Sequence, residues 1–278
     1  MTPYTLIRNT AARFREAGIP DPENDSALLL CFLTGTDNPL SLRLDMDTFL
    51  EESVLLAYEE LAERRIRREP LQYITGEAPF FGRFFRVAPC VLIPRPETEL
   101  LCEWALELLP DRPISVLDLC CGSGCIGLTL SAERPAWNVT LSDLSPDALR
   151  ISRINAESLG VRVSLRQGDL TEGLPECAFD AVLSNPPYIP TEECISLQEE
   201  VRREPLLALD GGPDGLDFYR RIVSGVSRIL KKGGVLMMEL GFGEAEEVRK
   251  ILSDAGYSDI QVRKDMNGTD RMIASSLP

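Results

Sequence analysis

The chain has 278 residues, 44% of them hydrophobic, which suits one large domain or two modest ones and excludes a disordered protein. Its 29 basic and 44 acidic residues leave a net charge of -15, a field that repels an exposed nucleic-acid backbone unless a local basic patch opposes it. No apolar run reaches the roughly 18 residues of a bilayer span, Met1-Thr2-Pro3-Tyr4 lacks signal-peptide character, and the eight cysteines are scattered without a CxxC pair, so no disulfide framework, no metal site and a cytoplasmic location are expected.

Residues 1–75 read as a small helical bundle. Leu6, Ile7 and Phe14, and then Ala27 to Leu33, recur at helical intervals. Asp21-Pro22-Glu23 is a helix start, with proline and acids in the first turn. A further amphipathic helix is expected over Phe49 to Ile66, with Thr48 as its cap. The cluster Arg64-Arg65-Ile66-Arg67-Arg68 lies among Glu59, Glu60, Glu63 and Glu69 and reads as a solvated, ion-paired helix face. No residue type here suggests catalysis, so the bundle is expected to serve recognition or packing.

A linker is expected over 76–95. Phe80, Phe81, Phe84 and Phe85 around a Gly82-Arg83 turn suggest a β-hairpin. Pro96 or Thr98 can then open a helix that runs to about Leu109. Arg95 and Glu97 at its start read either as a structural ion pair or as part of a site.

From Ile114 strands and helices alternate, so residues 96–278 are expected to form an α/β domain. Strands are expected at 114–119, 138–142, 161–166, 179–184, 235–240, 257–263 and 270–274, making seven, mostly parallel with an antiparallel end. Ser145 should cap the helix that follows the second. Lys231-Lys232-Gly233-Gly234 reads as the C-terminus of the helix that begins at Leu216. The long Pro/Gly/Glu-rich stretch from Asn185 to Gly215 is of the length that is usually functional.

The first strand–helix turn carries Cys120-Cys121-Gly122-Ser123-Gly124, and Gly122, Gly124 and Gly127 satisfy GxGxxG. Glycine permits a tight turn and close approach of a ligand to the backbone. Asp143, at the end of the second strand, can accept from ribose hydroxyls. These features suit a nicotinamide cofactor and S-adenosylmethionine equally. Asp118, an acid beside the turn, suits the ammonium of a methionine moiety better than a pyrophosphate. Asp169 can accept from an adenine amino group while Leu170 packs on the ring. The chain has no histidine, and no other hydride-site acid or base stands out.

After the fourth strand comes Ser184-Asn185-Pro186-Pro187-Tyr188-Ile189-Pro190. Two consecutive prolines cannot continue a central strand. They stiffen its exit, leaving the Asn185 side-chain oxygen and the Pro186 carbonyl as fixed acceptors suited to an NH2 group.

Asn-Pro-Pro-Tyr in this place resembles the motif of methyltransferases that act on planar NH2 groups. With Pro70 to Gly76, Leu92 to Glu99, Val116 to Leu119 and Pro205 to Gly212, the chain is similar over nearly its whole length to the release factor glutamine methyltransferases (the PrmC/HemK family). That family's turn is usually Gly-Thr-Gly-Ser-Gly, and Cys120 departs from it. The resemblance implies a Rossmann-like methyltransferase sheet beside a substrate-recognition helical domain. It also implies methyl transfer from S-adenosyl-L-methionine to the glutamine side-chain nitrogen (N5) of a Gly-Gly-Gln motif in peptide chain release factors. Cofactor contacts are expected at Asp118, Cys120, Cys121, Gly122, Ser123, Gly124, Asp143, Leu144, Asp169, Leu170 and Asn185. Substrate contacts are expected at Asn185, Pro186, Pro187 and Tyr188, with Asn185, Pro186 and Tyr188 carrying catalysis and Tyr188 covering the amide. The alternative is an N6-adenine or N4-cytosine nucleic-acid methyltransferase, against which the acidic charge and the absence of a basic stripe argue.

Overall fold

A computed structural model describes residues 1–278, with two compact units along the chain. The first comprises residues 1–76 and 198–203. Its helices are α1 (Pro3–Glu16), α2 (Pro22–Thr34), α3 (Pro39–Leu44), α4 (Glu52–Ile66) and α5 (Leu71–Thr75). Phe14, Leu29, Leu30, Tyr58 and Ala62 are fully buried at its centre. The Tyr58 hydroxyl donates to the Ser26 carbonyl at 2.9 Å, so burying the phenol leaves no polar atom unpaired. Thr48 does not cap α4. That helix begins after Glu51, and the Thr48 N–H donates instead to Asp45 Oδ1. Nor is the arginine cluster wholly solvated. Arg64 does pair with Glu69 at 2.6 Å, but Arg65 is buried between Asp25 (2.8 Å) and Glu200 (2.9 Å). Glu200 comes from the 198–203 segment, more than 130 residues on, so local spacing could not foretell it.

The second unit comprises residues 77–197 and 204–278. It opens on the hairpin of β1 (Glu77–Phe80) and β2 (Arg83–Arg86). Phe81 (φ 51°) and Gly82 (φ 70°) form its turn, one residue earlier than expected, because a two-residue hairpin turn needs left-handed backbone at both positions. Phe80 and Phe85 meet edge to face at 5.8 Å and are fully buried in the core of this unit. The hairpin is therefore packed structure rather than a free linker.

Then follow α6 (Pro96–Leu108), β3 (Ser115–Leu119), α7 (Cys125–Glu133), β4 (Asn138–Asp143), α8 (Pro146–Leu159), β5 (Ser164–Gln167) and β6 (Phe179–Ser184). After them come α9 (Thr191–Cys194), α10 (Asp217–Ile229), β7 (Leu230–Glu239), α11 (Ala245–Asp254), β8 (Ser258–Lys264) and β9 (Asp270–Ser276). The seven-stranded sheet has the order β5-β4-β3-β6-β7-β9-β8; β3 to β7 are parallel and β9 is antiparallel to both its neighbours. Successive side chains point to opposite faces of a strand, so Val116 joins the apolar layer under α6 and α7, and Leu117 and Leu119 join the layer under α10 and α11. The chain reverses its direction of travel across the sheet between β3 and β6. A ligand crevice is expected outside the carboxyl ends of those strands. The Ser184 hydroxyl, donating to the Leu119 carbonyl at 2.7 Å, ties the two strand ends together.

Lys231 to Gly234 do not end a helix. α10 stops at Ile229 and these residues lie inside β7, where an irregular register opposite Phe179–Ala181 absorbs them. Lys231 pairs there with Asp180 at 2.7 Å. No helix is long and apolar enough to cross a membrane.

Candidate active site

A cavity of about 280 Å³ opens at the carboxyl ends of β3, β4, β5 and β6, within the larger unit. Cys120, Cys121, Gly122 and Ser123 form part of its wall, and Cys125 opens α7 beside them. Cys120 has φ 60°, a left-handed conformation that glycine adopts without strain and that costs other residues about 1–2 kcal/mol. That is the physical content of its departure from glycine. Burial pushes the Cys120 thiol up to about 12, so it is uncharged at neutral pH. A Cβ at Gly122 would meet no atom within 4 Å, so the backbone there faces open space that a ligand can approach. Gly124 caps α7 with φ 81° and stands behind the wall rather than in it.

Asp143, at the end of β4, lines the cavity. Its Oδ2 accepts from Gly122 N–H and its Oδ1 from Ser145 N–H, both at 2.8 Å. Each oxygen keeps a lone pair for a further donor. Burial raises the carboxyl above its ordinary range, while the backbone N–H groups oppose the shift. Leu144, Asp169 and Leu170 lie on the same wall. Asp169 Oδ2 accepts from Arg221 at 2.7 Å in a half-exposed pair, which leaves its other oxygen free of that contact.

Asp118 is placed differently from expectation. It is fully buried beneath α7 and does not line the cavity, so it does not face a ligand's ammonium group. Its Oδ2 accepts from Gly127 N–H at 2.8 Å, its Oδ1 has no partner, and desolvation pushes its pKa up to about 7. A Cβ on Gly127 would come within 2.2 Å of Leu141 and 2.9 Å of Asp118 Cβ. The third glycine of the turn therefore permits close helix–strand packing, and Asp118 braces the helix from below.

β6 ends at Ser184, and Asn185 and Pro187 reach the cavity while Pro186 and Tyr188 lie outside its wall. Asn185 Nδ2 donates to Thr98 Oγ1 at 3.2 Å, Thr98 donates to Glu239 Oε2 at 2.6 Å, and the Tyr188 hydroxyl donates to Glu239 Oε1 at 3.2 Å. Asn185 Oδ1 and the Pro186 carbonyl accept no hydrogen bond from within the chain. The Tyr188 ring packs against the apolar layer under α10, not over the mouth of the cavity. The following residues are pinned by Ile189 N–H to the Leu209 carbonyl (2.9 Å) and Gly211 N–H to the Ile189 carbonyl (2.8 Å). A Cβ on Gly211 would stand 2.7 Å from Tyr188 Cα, so only glycine lets the Asp210-Gly211-Gly212 run lie against this motif.

Three residues that sequence reasoning left without a site role stand out. Thr98, read with Pro96 as a residue that could open the helix, is buried in α6 and bonded to both Asn185 and Glu239. Glu239, 1% exposed at the end of β7, holds two hydroxyls. Glu204 accepts from Ile93 N–H at 2.9 Å and is ion-paired with Arg95. The partner of Arg95 is thus Glu204, not Glu97, and Arg95 itself lines the cavity. An acid directly after the apolar run Val235–Met238 was the one available signal, since acids are seldom fully buried without a purpose.

Residues 98–201 match the family described as Methyltransferase small domain, and residues 5–76 the PrmC N-terminal domain. The release factor glutamine methyltransferase of Geobacter sulfurreducens is 43% identical over 269 residues, covering 96% of this chain and 94% of that protein. The protein of the same name from Clostridium acetobutylicum is 42% identical over 276 residues, covering 97% and 94%. A methyltransferase structure from Pyrococcus furiosus matches with a TM-score of 0.55 at 18% identity, over 77% of this chain and 96% of that one, a likeness of fold.

Proposed function

The chain belongs to the release factor glutamine methyltransferases, and from that premise we propose that Asn185 and the Pro186 carbonyl hold the side-chain amide of a release-factor glutamine beside a bound methyl donor. The enzyme is an S-adenosylmethionine-dependent methyltransferase of peptide chain release factors. The acceptor we assign is N5 of the glutamine in a Gly-Gly-Gln motif. The observation that carries this reading is Asn185 at the cavity wall, with its NH2 tied to Thr98 and its oxygen left open.

The cavity fits the cofactor. Gly122 offers an approachable backbone, and Asp143 has spare lone pairs for ribose hydroxyls. Asp169 and Leu170 would hold the adenine. When bound, S-adenosylmethionine supplies an electrophilic methyl group carried on a sulfonium.

The chain's own contribution is placement. An amide nitrogen is a weak nucleophile because its lone pair is delocalised. Two acceptors that take both of its N–H groups fix the nitrogen and aim its lone pair, which is catalysis by orientation and preorganised dipoles. A methylated amide is strongly acidic before it loses its proton, so it needs no dedicated base and the absence of histidine is no handicap. The first unit, including 198–203, is assigned to substrate recognition, and the eight free cysteines fit a reducing cytoplasm.

Incubation with S-adenosylmethionine, a release factor and unmethylated DNA, followed by mass spectrometry, tests this reading. One methyl group on the glutamine of the Gly-Gly-Gln peptide is the expected result. Methylated DNA with an unmodified release factor would overturn it in favour of the nucleic-acid reading.

A further inference from the structure

We propose that Glu239 is a positioning residue that sets, through Thr98, which end of the Asn185 side-chain amide faces the substrate. The inference rests on the assignment of Asn185 as acceptor for the glutamine amide. It adds a pair of residues, one on β7 and one on α6, that make Asn185 an acceptor rather than a donor.

An asparagine side chain is nearly symmetric in shape, and rotating it by half a turn exchanges a C=O acceptor for an NH2 donor. A glutamine NH2 group can be held only by the acceptor, so the wrong orientation sets donor against donor. Something must break the symmetry. Burial raises the Glu239 carboxyl above its ordinary range while the Thr98 and Tyr188 hydroxyls and Arg271 oppose the shift, and its Oε2 accepts from Thr98 Oγ1 at 2.6 Å. The single hydroxyl proton of Thr98 is thereby committed. Its oxygen can only accept from Asn185, and Nδ2 at 3.2 Å is the donor it meets. The carboxylate thus dictates the asparagine orientation two bonds away, leaving Oδ1 free.

Glu239 is itself held. Its second oxygen accepts from the Tyr188 hydroxyl at 3.2 Å, and its carbonyl accepts from the buried Tyr219 hydroxyl at 3.0 Å. In the sheet register its neighbour Met238 stands opposite Ser184, so Glu239 lies level with Asn185 across adjacent parallel strands. Burying an acid is costly unless hydrogen bonds compensate, and this one receives two hydroxyl donors where an apolar residue would pack at less cost. Fixing the orientation of the group that holds the substrate amide is a function that explains the expense. The same carboxylate engages Tyr188, so one buried group organises both Asn185 and the tyrosine of the motif.

The test separates orientation from folding and from the function itself. Side-chain NH2 exchange of Asn185, followed by NMR in the full-length protein, reads the Thr98 bond without any turnover. Glu239→Met, which removes the acceptor at similar volume, and Thr98→Val, which removes the hydroxyl, are both expected to speed that exchange about tenfold. Thr98→Ser keeps the hydroxyl and is expected to restore protection. In methyl transfer, Glu239→Met and Thr98→Val should each lower kcat about tenfold or more, with the KM for release factor and the affinity for S-adenosylmethionine within about twofold. The double variant should fall no further than Thr98→Val alone, since the two act in series. Unchanged Asn185 exchange in a folded Glu239→Met or Thr98→Val protein overturns the proposal. So does a loss that appears only in cofactor affinity. A wild-type protein that fails to methylate release factor while Asn185 exchange still responds to both substitutions counts against the substrate reading alone.

Discussion

At the scale of single residues, the site is a set of acceptors whose capacity the fold has only partly used. Asp143 spends one lone pair of each oxygen on the Gly122 and Ser145 amides and retains the others, which on the reading proposed above take ribose hydroxyls. Asp143→Ala is therefore expected to weaken S-adenosylmethionine binding by about tenfold or more in calorimetry, the loss of two charge-assisted hydrogen bonds plus support for the turn. Unchanged affinity would remove Asp143 from the cofactor site. The places of Gly122, Asp143 and Asn185 at the cavity wall were legible in the sequence because they follow from backbone freedom and from what stands at a strand end, whereas Gly124 stands behind that wall. Asp118 was not. Its distance from the turn suggested a ligand contact, but strand alternation carries its side chain under α7, where it meets Gly127 and not the cavity.

At the scale of elements, β6 runs from Phe179 to Ser184 as read from the sequence, because a short apolar run ends against two prolines and nothing nonlocal is needed to place it. Ser145 likewise caps α8, accepting from Ala148 N–H at 3.2 Å. Ser145→Ala is expected to lower the unfolding free energy by about 1 kcal/mol in denaturant titration. A change below a few tenths would show that the cap is replaced by solvent. What escaped the sequence was whatever depends on the order of elements in space. Thr98 on α6 and Glu239 on β7 are 141 residues apart, and they meet because α6 packs on β7, an interior strand paired with β6. Lys231 to Gly234 looked like a helix end because cations and glycines favour one. The longer β7 absorbed them through an irregular register instead. The hairpin was foreseen as a connector, but Phe80 and Phe85 had enough apolar surface to join the core of the larger unit.

At the scale of the whole molecule, the net charge of -15 disfavours a polyanionic substrate, and Asp118, desolvated beneath α7, contributes to how stability varies with pH alongside Glu244, which burial also pushes up to about 7. Asp118 is pushed up to about 7, above its ordinary value. A carboxyl raised in the folded state contributes stability that is fully present below the unfolded value and is lost as pH rises through about 7. The slope from one such group is at most about 1.4 kcal/mol per pH unit. Asp118→Asn is expected to flatten the decline in stability between about pH 4 and pH 7, the interval from the ordinary carboxyl value to about 7, read by thermal melts at constant ionic strength. An equal decline in both proteins would show that Asp118 is not the group titrating. Methyl transfer to an intact release factor joins all three scales. In single-turnover reactions at saturating S-adenosylmethionine, Asn185→Ala is expected to slow methylation of the Gly-Gly-Gln glutamine about a hundredfold, with cofactor affinity kept within about twofold. A near-normal rate in the variant would contradict the assignment of Asn185 as the group that holds the glutamine amide.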